Sequence, residues 1–281
     1  MYFYDIINLQ KNNIKENTSM VSLLYQTKKI ISREKFEKIK FFFPAPKNTG
    51  RPPLSNFLVL NAILWVARMS IPWRAMPEKF GNWNSIYKIF RRWIKLGVFQ
   101  NLLQHNKNLA TNSLLIMIDS THIIVHQDAT GARKDAVGNE NNQAIGKTAG
   151  GNTTKIHALV NEHMQIIAYV LTEGQIFDSK EAINLLQNID IKDKKILADK
   201  AYHSNEIRTY IKENNAIACI PNKSNTKIKE EFDKLLYKMR NIIERTFQRL
   251  KMFRRIGTRY DKLAICFSAF ITLVAFIMLE N

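Results

Sequence analysis

Residues Tyr237 to Lys251 read YKMRNIIERTFQRLK, and the fold turns on which of these side chains share a face. At 3.6 residues per turn, Phe232, Leu235, Met239, Ile242, Ile243 and Leu250 fall on one side. Tyr237, Arg240, Glu244, Gln248 and Lys251 gather within roughly 80° on the other. The spacing predicts one amphipathic helix with a chemically loaded face. Charges at i,i+4, such as Arg240 with Glu244, also occur on ordinary surface helices, so this helix alone does not decide function.

Two aspartates upstream do. Asp119 sits in SLLIMIDSTHIIV and Asp199 in KKILADKAYHS, and in both an apolar β-like run stops at a carboxylate followed by a polar turn. Acids at strand ends project from a common edge of a sheet. Two such carboxylates and a third from a helix packed across them make an oxygen-rich cage suited to Mg²⁺ or Mn²⁺, not to zinc. Two ions held there activate a water or hydroxyl and stabilise the leaving oxygen of a phosphodiester.

The order Tyr237, Arg240, Glu244, Lys251 resembles the Y-R-E-K signature of bacterial insertion-sequence transposases with a DDE triad. IDST around Asp119 and ADKAYHS around Asp199 resemble the segments that hold that family's first and second aspartates. GGNTTKIHALV, EGQIFDS and IPWRAMPEKFGNWNSIYKIFRRW resemble insertion-sequence family five, so the likeness runs from about Arg33 to the C-terminus. Ala201 stands where a glycine is commoner, and a small residue is kept. The resemblance implies that Asp119, Asp199 and Glu244 hold two Mg²⁺ (or Mn²⁺) ions. It also implies that Tyr237, Arg240 and Lys251 engage DNA.

Composition agrees with such a partner. Lys and Arg number 42 against 24 acids, a net charge of +18 that calls for a polyanion. A nucleic-acid-coating protein can be equally basic, but 46% hydrophobic residues and seven prolines indicate a compact, enzyme-like body. The two cysteines, Cys219 and Cys266, form no CxxC and indicate neither a disulfide framework nor a zinc site. MYFYDIINLQKNN has no basic region ahead of an apolar core. The expected location is therefore the cytoplasm, near the nucleoid.

Along the chain, residues 1–30 form an Asn- and Lys-rich arm without a legible motif. Residues 31–110 read as a small all-α, helix-turn-helix-like DNA-binding domain. Its centre is the all-round apolar helix Leu54 to Met69. Asn84 is a candidate cap for the next helix, in which Ile86, Ile89, Phe90 and Trp93 face inward. The opposite face presents Lys88, Arg91, Arg92 and Lys95. A solvated basic face is the plain reading; beside a bundle of this size in so basic a chain, contact with DNA is the sharper one.

Residues 111–281 read as the catalytic domain, α/β with an RNase H-like mixed sheet flanked by helices. The element order is βββαβαβα. Glu244 follows Asp199 by 45 positions, too few for an inserted β-domain. A Gly-rich stretch between the first two strands carries Arg133, Lys134 and Lys147, either a flexible insertion or a loop that orders over DNA. Asp178, three before Glu181, reads as a helix N-cap. Leu263 to Leu279 is short for a membrane span and reads as a core or dimer-interface helix.

The expected function is that of a transposase, an enzyme that binds the terminal inverted repeats of its element, hydrolyses DNA there and joins the 3′-hydroxyls to target DNA. Its partners are double-stranded DNA and further copies of the chain, as a homodimer or higher oligomer, with no membrane and no nucleotide cofactor. Two rivals stay open: a metal-dependent nuclease without strand transfer, and a non-catalytic DNA-binding repressor descended from a transposase.

Overall fold

The structure is a computed structural model, and it describes residues 30–45, 52–109, 111–132, 143–224, 226 and 231–279. The expectations for the arm before Ile30, and for Arg133 and Lys134, lie outside these residues. Four helices come first: α1 (Arg33–Ile39), α2 (Asn56–Met69), α3 (Trp83–Lys95) and α4 (Val98–Leu109). The sheet region follows with β1 (Leu115–Val125), β2 (Gly146–Thr148), β3 (Gly151–Asn161), β4 (Ile166–Glu173), α5 (Asp178–Leu186), β5 (Lys195–Ala198), α6 (Asn205–Glu213) and β6 (Ile217–Cys219). The chain closes with α7 (Lys234–Tyr237), a 3₁₀ turn over Lys238–Arg240, α8 (Asn241–Lys251), α9 (Arg254–Gly257), β7 (Thr258–Arg259) and α10 (Ala264–Leu279).

The sheet is mixed. β1 lies antiparallel to β3 and parallel to β5, which is parallel to β6. β3 also pairs antiparallel with β4 and β2, and the short β7 adds to the end of β1. This is the RNase H-like arrangement expected, with β2 and β7 as two short strands that the apolar pattern does not announce.

Strand alternation divides the core in two. Ile116, Ile118, Leu159, Ile196 and Ala198 face one way, against α5 and α6. Met117, Ile156, Ala158, Val160 and Leu197 face the other way, in one cluster with Ile242, Ile243 and Leu250 of α8, the apolar residues of α10, and those of α1 to α4. The ring of Phe90 of α3 lies 5.0 Å from that of Phe270 of α10, tilted by 34°, so the N-terminal helices complete their core against the last helix. α10 is buried along nearly its whole length. Among the described residues, no helix is long and apolar enough to cross a membrane.

Three expectations need correction. β1 does not stop at Asp119 but continues to Val125, because Ser120 to Ile124 remain paired with β3 after β5 has ended. The signature helix is not one regular helix: Tyr237 ends α7 and Arg240 ends a tighter 3₁₀ turn, with Leu235 and Met239 exposed instead of inward. Helix α3 is capped by Asn82, whose side chain accepts from Asn84 N and Ser85 N, and not by Asn84.

Candidate active site

Asp119 and Asp199 come together because β1 and β5 are parallel and in register. Ile118 pairs with Ala198, so the next residue on each strand is an aspartate at the same level. Alternation puts both on the face that carries Met117 and Leu197, the face covered by α8. Glu244 lies one turn into α8, and Arg240 precedes it by four residues. Arg240 Nη1 donates to Asp119 Oδ2 at 2.9 Å, and its Nη2 donates to Glu244. Asp119 Oδ1 accepts from Ser120 N at 2.8 Å, and Asp199 Oδ1 accepts from Ala201 N at 2.7 Å. A larger residue at 201 would leave that backbone bond intact, so Ala201 in place of glycine costs nothing visible here.

Burial pushes the Asp119 carboxyl up to about 6, with Asp199 and Asp178 adding to the rise and the Ser120 amide and Arg240 opposing it. Arg240 itself is held above its usual value: burial pulls it down, and the charges of Asp119, Tyr237, Glu244 and Asp199 outweigh that. Asp119 and Glu244 therefore share one guanidinium, and the charge of Asp199 is felt there as well. Their donor set, all carboxylate oxygen, is of the kind that takes Mg²⁺ or Mn²⁺. Among the described residues, no three His, Cys, Asp or Glu side chains are gathered closely enough to hold an ion as they stand. The cationic centre of the cluster is the guanidinium.

A layer that the sequence did not announce supports the acids from the opposite face. Ser120 Oγ donates to Asp178 Oδ1 at 2.8 Å, and Lys155 Nζ donates to the same oxygen at 2.8 Å and to the Ile176 carbonyl at 2.7 Å. Asp178 is thus the first residue of α5 and not its cap; Phe177 holds the cap position. Burial pushes Asp178 up, but Lys155 and Ser120 outweigh it and hold the carboxyl below its usual range. His157, paired with Ser120 across the strands, is fully buried, and its Nε2 lies 2.8 Å from Thr172 Oγ1. Burial lowers it to about 4. Tyr202 is buried among the three aspartates, and burial together with their charge raises its phenol well above the ordinary value. The signal for this layer was available: Lys155 and His157, at i and i+2 with Ile156 between them, share one face of the strand.

The other expected residues scatter. Tyr237 is half-buried, its ring 5.6 Å from Phe232 and 5.9 Å from the Arg240 guanidinium. Lys251 Nζ donates to the His122 carbonyl at 3.1 Å, alongside β1 beyond Asp119, and burial lowers its pKa. Lys88, Arg92 and Lys95 are exposed on α3, and Lys147 is exposed on β2. Arg91 departs from its neighbours: it is partly buried and donates to the Tyr87 hydroxyl at 3.3 Å.

Residues 111–279 match the family model described as "Transposase DDE domain". The chain belongs to the DDE transposases. Residues 31–103 of this DDE transposase also match the model described as "Putative transposase of IS4/5 family". A protein of Brucella ovis named "Putative transposase for insertion sequence element IS6501" is 33% identical over 43% of this chain and 93% of its own length. An uncharacterized protein of Sinorhizobium fredii, y4sN, is 36% identical over 42% of this chain and 94% of its own length. Among solved structures, a pre-cleavage Mos1 transpososome aligns over 86% of this chain and 83% of its own, at 12% identity and a TM-score of 0.28.

Proposed function

We propose that this DDE transposase binds the terminal inverted repeats of an insertion sequence, cuts DNA at the element ends and joins the 3′-hydroxyls to target DNA by transesterification. The observation that carries the reading is the bridge from Asp119 through Arg240 to Glu244, with Asp199 level with Asp119 on the neighbouring strand. Asp119, Asp199 and Glu244 would hold two Mg²⁺ or Mn²⁺ ions, which supply an activated water or hydroxyl and charge stabilisation at the phosphorus. The chain's own groups do the rest. Asp178, Ser120 and Lys155 fix the β1 carboxylate from behind, and Lys251 lies where a phosphate backbone leaving the acids would pass. Arg240 turns from the carboxylates to a DNA phosphate when the site is loaded. No nucleotide is needed, because transesterification exchanges one phosphodiester for another.

Lys88, Arg92 and Lys95, with Lys147 and the Arg133–Lys134 pair, supply the backbone grip on the element ends, residues 31–110 being the recognising unit of a homodimeric or larger complex. Replacing Asp119, Asp199 or Glu244 by Ala is expected to abolish cleavage and joining while DNA binding survives. A strand-transfer assay with pre-cleaved ends separates this enzyme from a nuclease: hydrolysis without joining would select the nuclease. Near-normal joining by Glu244→Ala would remove α8 from the chemistry.

A further inference from the structure

Apart from Lys88 and Arg92 on its outer face, the stretch IPWRAMPEKFGNWNSIYKIFRRW has no part in the proposal above, yet it builds one wall of a cavity of about 630 Å³. Trp73, Arg74, Trp83, Tyr87 and Arg91 come from that stretch, and Tyr260 and Lys262 close the cavity from the catalytic side. We propose that this cavity takes one unstacked nucleotide of a DNA strand, its base between the aromatic walls and its phosphate on the arginines.

Two buried donors in the lining residues find no acceptor among the described residues. Arg91 spends Nη1 on the Tyr87 hydroxyl, but among the described residues its Nε has no hydrogen-bond partner, and neither has Ser70 Oγ at the left-handed end of α2. Buried polar groups are normally paired, and both of these lie just behind the wall of the cavity, in side chains that line it. The charge has the right sign. Arg255 and Asp261 neutralise each other through two 3.0 Å bonds, which leaves Arg74, Arg91 and Lys262 against Asp128. The Arg74 guanidinium already lies over the Trp83 ring, 5.5 Å from its centre, a cation on an aromatic face that single-strand sites use. A concave aromatic pocket admits one base and excludes a duplex.

Position ties the cavity to the acids. β1 runs six residues from Asp119 to Val125, about 20 Å at roughly 3.3 Å per residue, and Asp128 of the lining follows it. Lys251 lies between, on the His122 carbonyl. A strand leaving the carboxylates past Lys251 reaches the cavity after about six nucleotides at about 3.4 Å each. The inference rests on the transposase reading for its choice of DNA.

The test uses the full-length chain and fluorescein-labelled oligothymidylate of about twelve nucleotides, within the range of known single-strand sites, beside the duplex of the same length. Arg74→Ala changes an exposed rim residue, and Trp83→Ala a partly buried one at the edge of the core. Each is expected to weaken single-strand binding at least tenfold and duplex binding less than twofold, in the wild-type and in the Glu244→Ala background alike. The second background keeps this result apart from any failure of the catalytic assignment. Equal losses on both DNAs, or no loss on the single strand, would overturn the proposal. Displacement of the oligonucleotide by thymidine monophosphate at the same concentration as by unlabelled strand would overturn it too, by making the ligand a free nucleotide.

Discussion

Arg240 Nη1 donates to Asp119 Oδ2 at 2.9 Å while its other terminal nitrogen donates to Glu244, so one guanidinium ties together two of the three acids proposed to carry the chemistry. A cation entering between those carboxylates has to displace it. Two partly buried charges gain most from each other where solvent is thin, and Arg240 is only one-fifth exposed. Arg240→Ala is therefore expected to raise Mn²⁺ affinity by about tenfold, equivalent to about 1.4 kcal/mol. Calorimetry without DNA at pH 8, well above the value near 6 of Asp119, reads this directly. The same variant should bind element-end DNA less tightly. Weaker Mn²⁺ binding with the fold intact would make Arg240 an orienting group of the cage.

That contact also shows where sequence reading stops. The Tyr237-Arg240-Glu244-Lys251 spacing and the two aspartates were legible, because helical and strand periodicities fix which face a residue occupies. Periodicity assigns Arg240 to the side of Glu244 but says nothing of whether its guanidinium turns to a phosphate or to the acids. The continuation of β1 past Asp119 was hidden because Ser120, Thr121 and His122 are polar, yet β3 pairs with all three. Asp178 looked like a cap because Glu181 follows at capping-box spacing; its partners Ser120 and Lys155 are 58 and 23 residues away, a distance no local pattern spans. Arg91 shares its helix face with Lys88 and Lys95, but only the packing of α3 against the 254–266 segment turns it into a cavity.

The basic residues of α3 should separate in salt titrations. Lys88, Arg92 and Lys95 are exposed and form no ion pair among the described residues, so phosphates are their natural partners. Each change to Ala is expected to reduce the slope of log K against log salt by about 0.9. Arg91→Ala should leave the duplex slope nearly unchanged, since its guanidinium faces Tyr87 and the cavity. Equal slopes for all four variants would return Arg91 to the outer face.

His157 makes stability depend on pH. Burial holds it at about 4 against an ordinary 6.5, so the folded state keeps it neutral while the unfolded chain takes up a proton near 6.5. A depressed cationic group contributes stability that is complete above pH 6.5 and is lost as pH falls towards 4; the span is worth about 3 kcal/mol at 1.36 kcal/mol per unit. Asp119 acts the other way between about pH 4 and 6, because its carboxyl is raised. The comparison that isolates the histidine is His157→Gln, which keeps a donor for Thr172. Urea midpoints at pH 4.5, 5.5 and 6.5 should fall less steeply for the variant. Parallel curves would mean that His157 is protonated in the folded state.

Phe270 decides whether the N-terminal helices stand alone. Its ring lies 5.0 Å from Phe90 and 6.1 Å from Trp73, and the Arg255 guanidinium packs 5.1 Å from its centre, so α10 completes a core that residues 31–110 do not close themselves. Truncating a buried phenylalanine costs about 3–5 kcal/mol. The four tryptophans, Trp65, Trp73, Trp83 and Trp93, all lie in the N-terminal half, so their fluorescence reports that half while far-ultraviolet dichroism reports the whole chain. Phe270→Ala is expected to lower the urea midpoint by about 1–2 M in both signals, with the two transitions coincident before and after the change. If the fluorescence midpoint stays in place while the dichroism midpoint falls, residues 31–110 are an independent folding unit, and end recognition can be assigned to them as a separable domain.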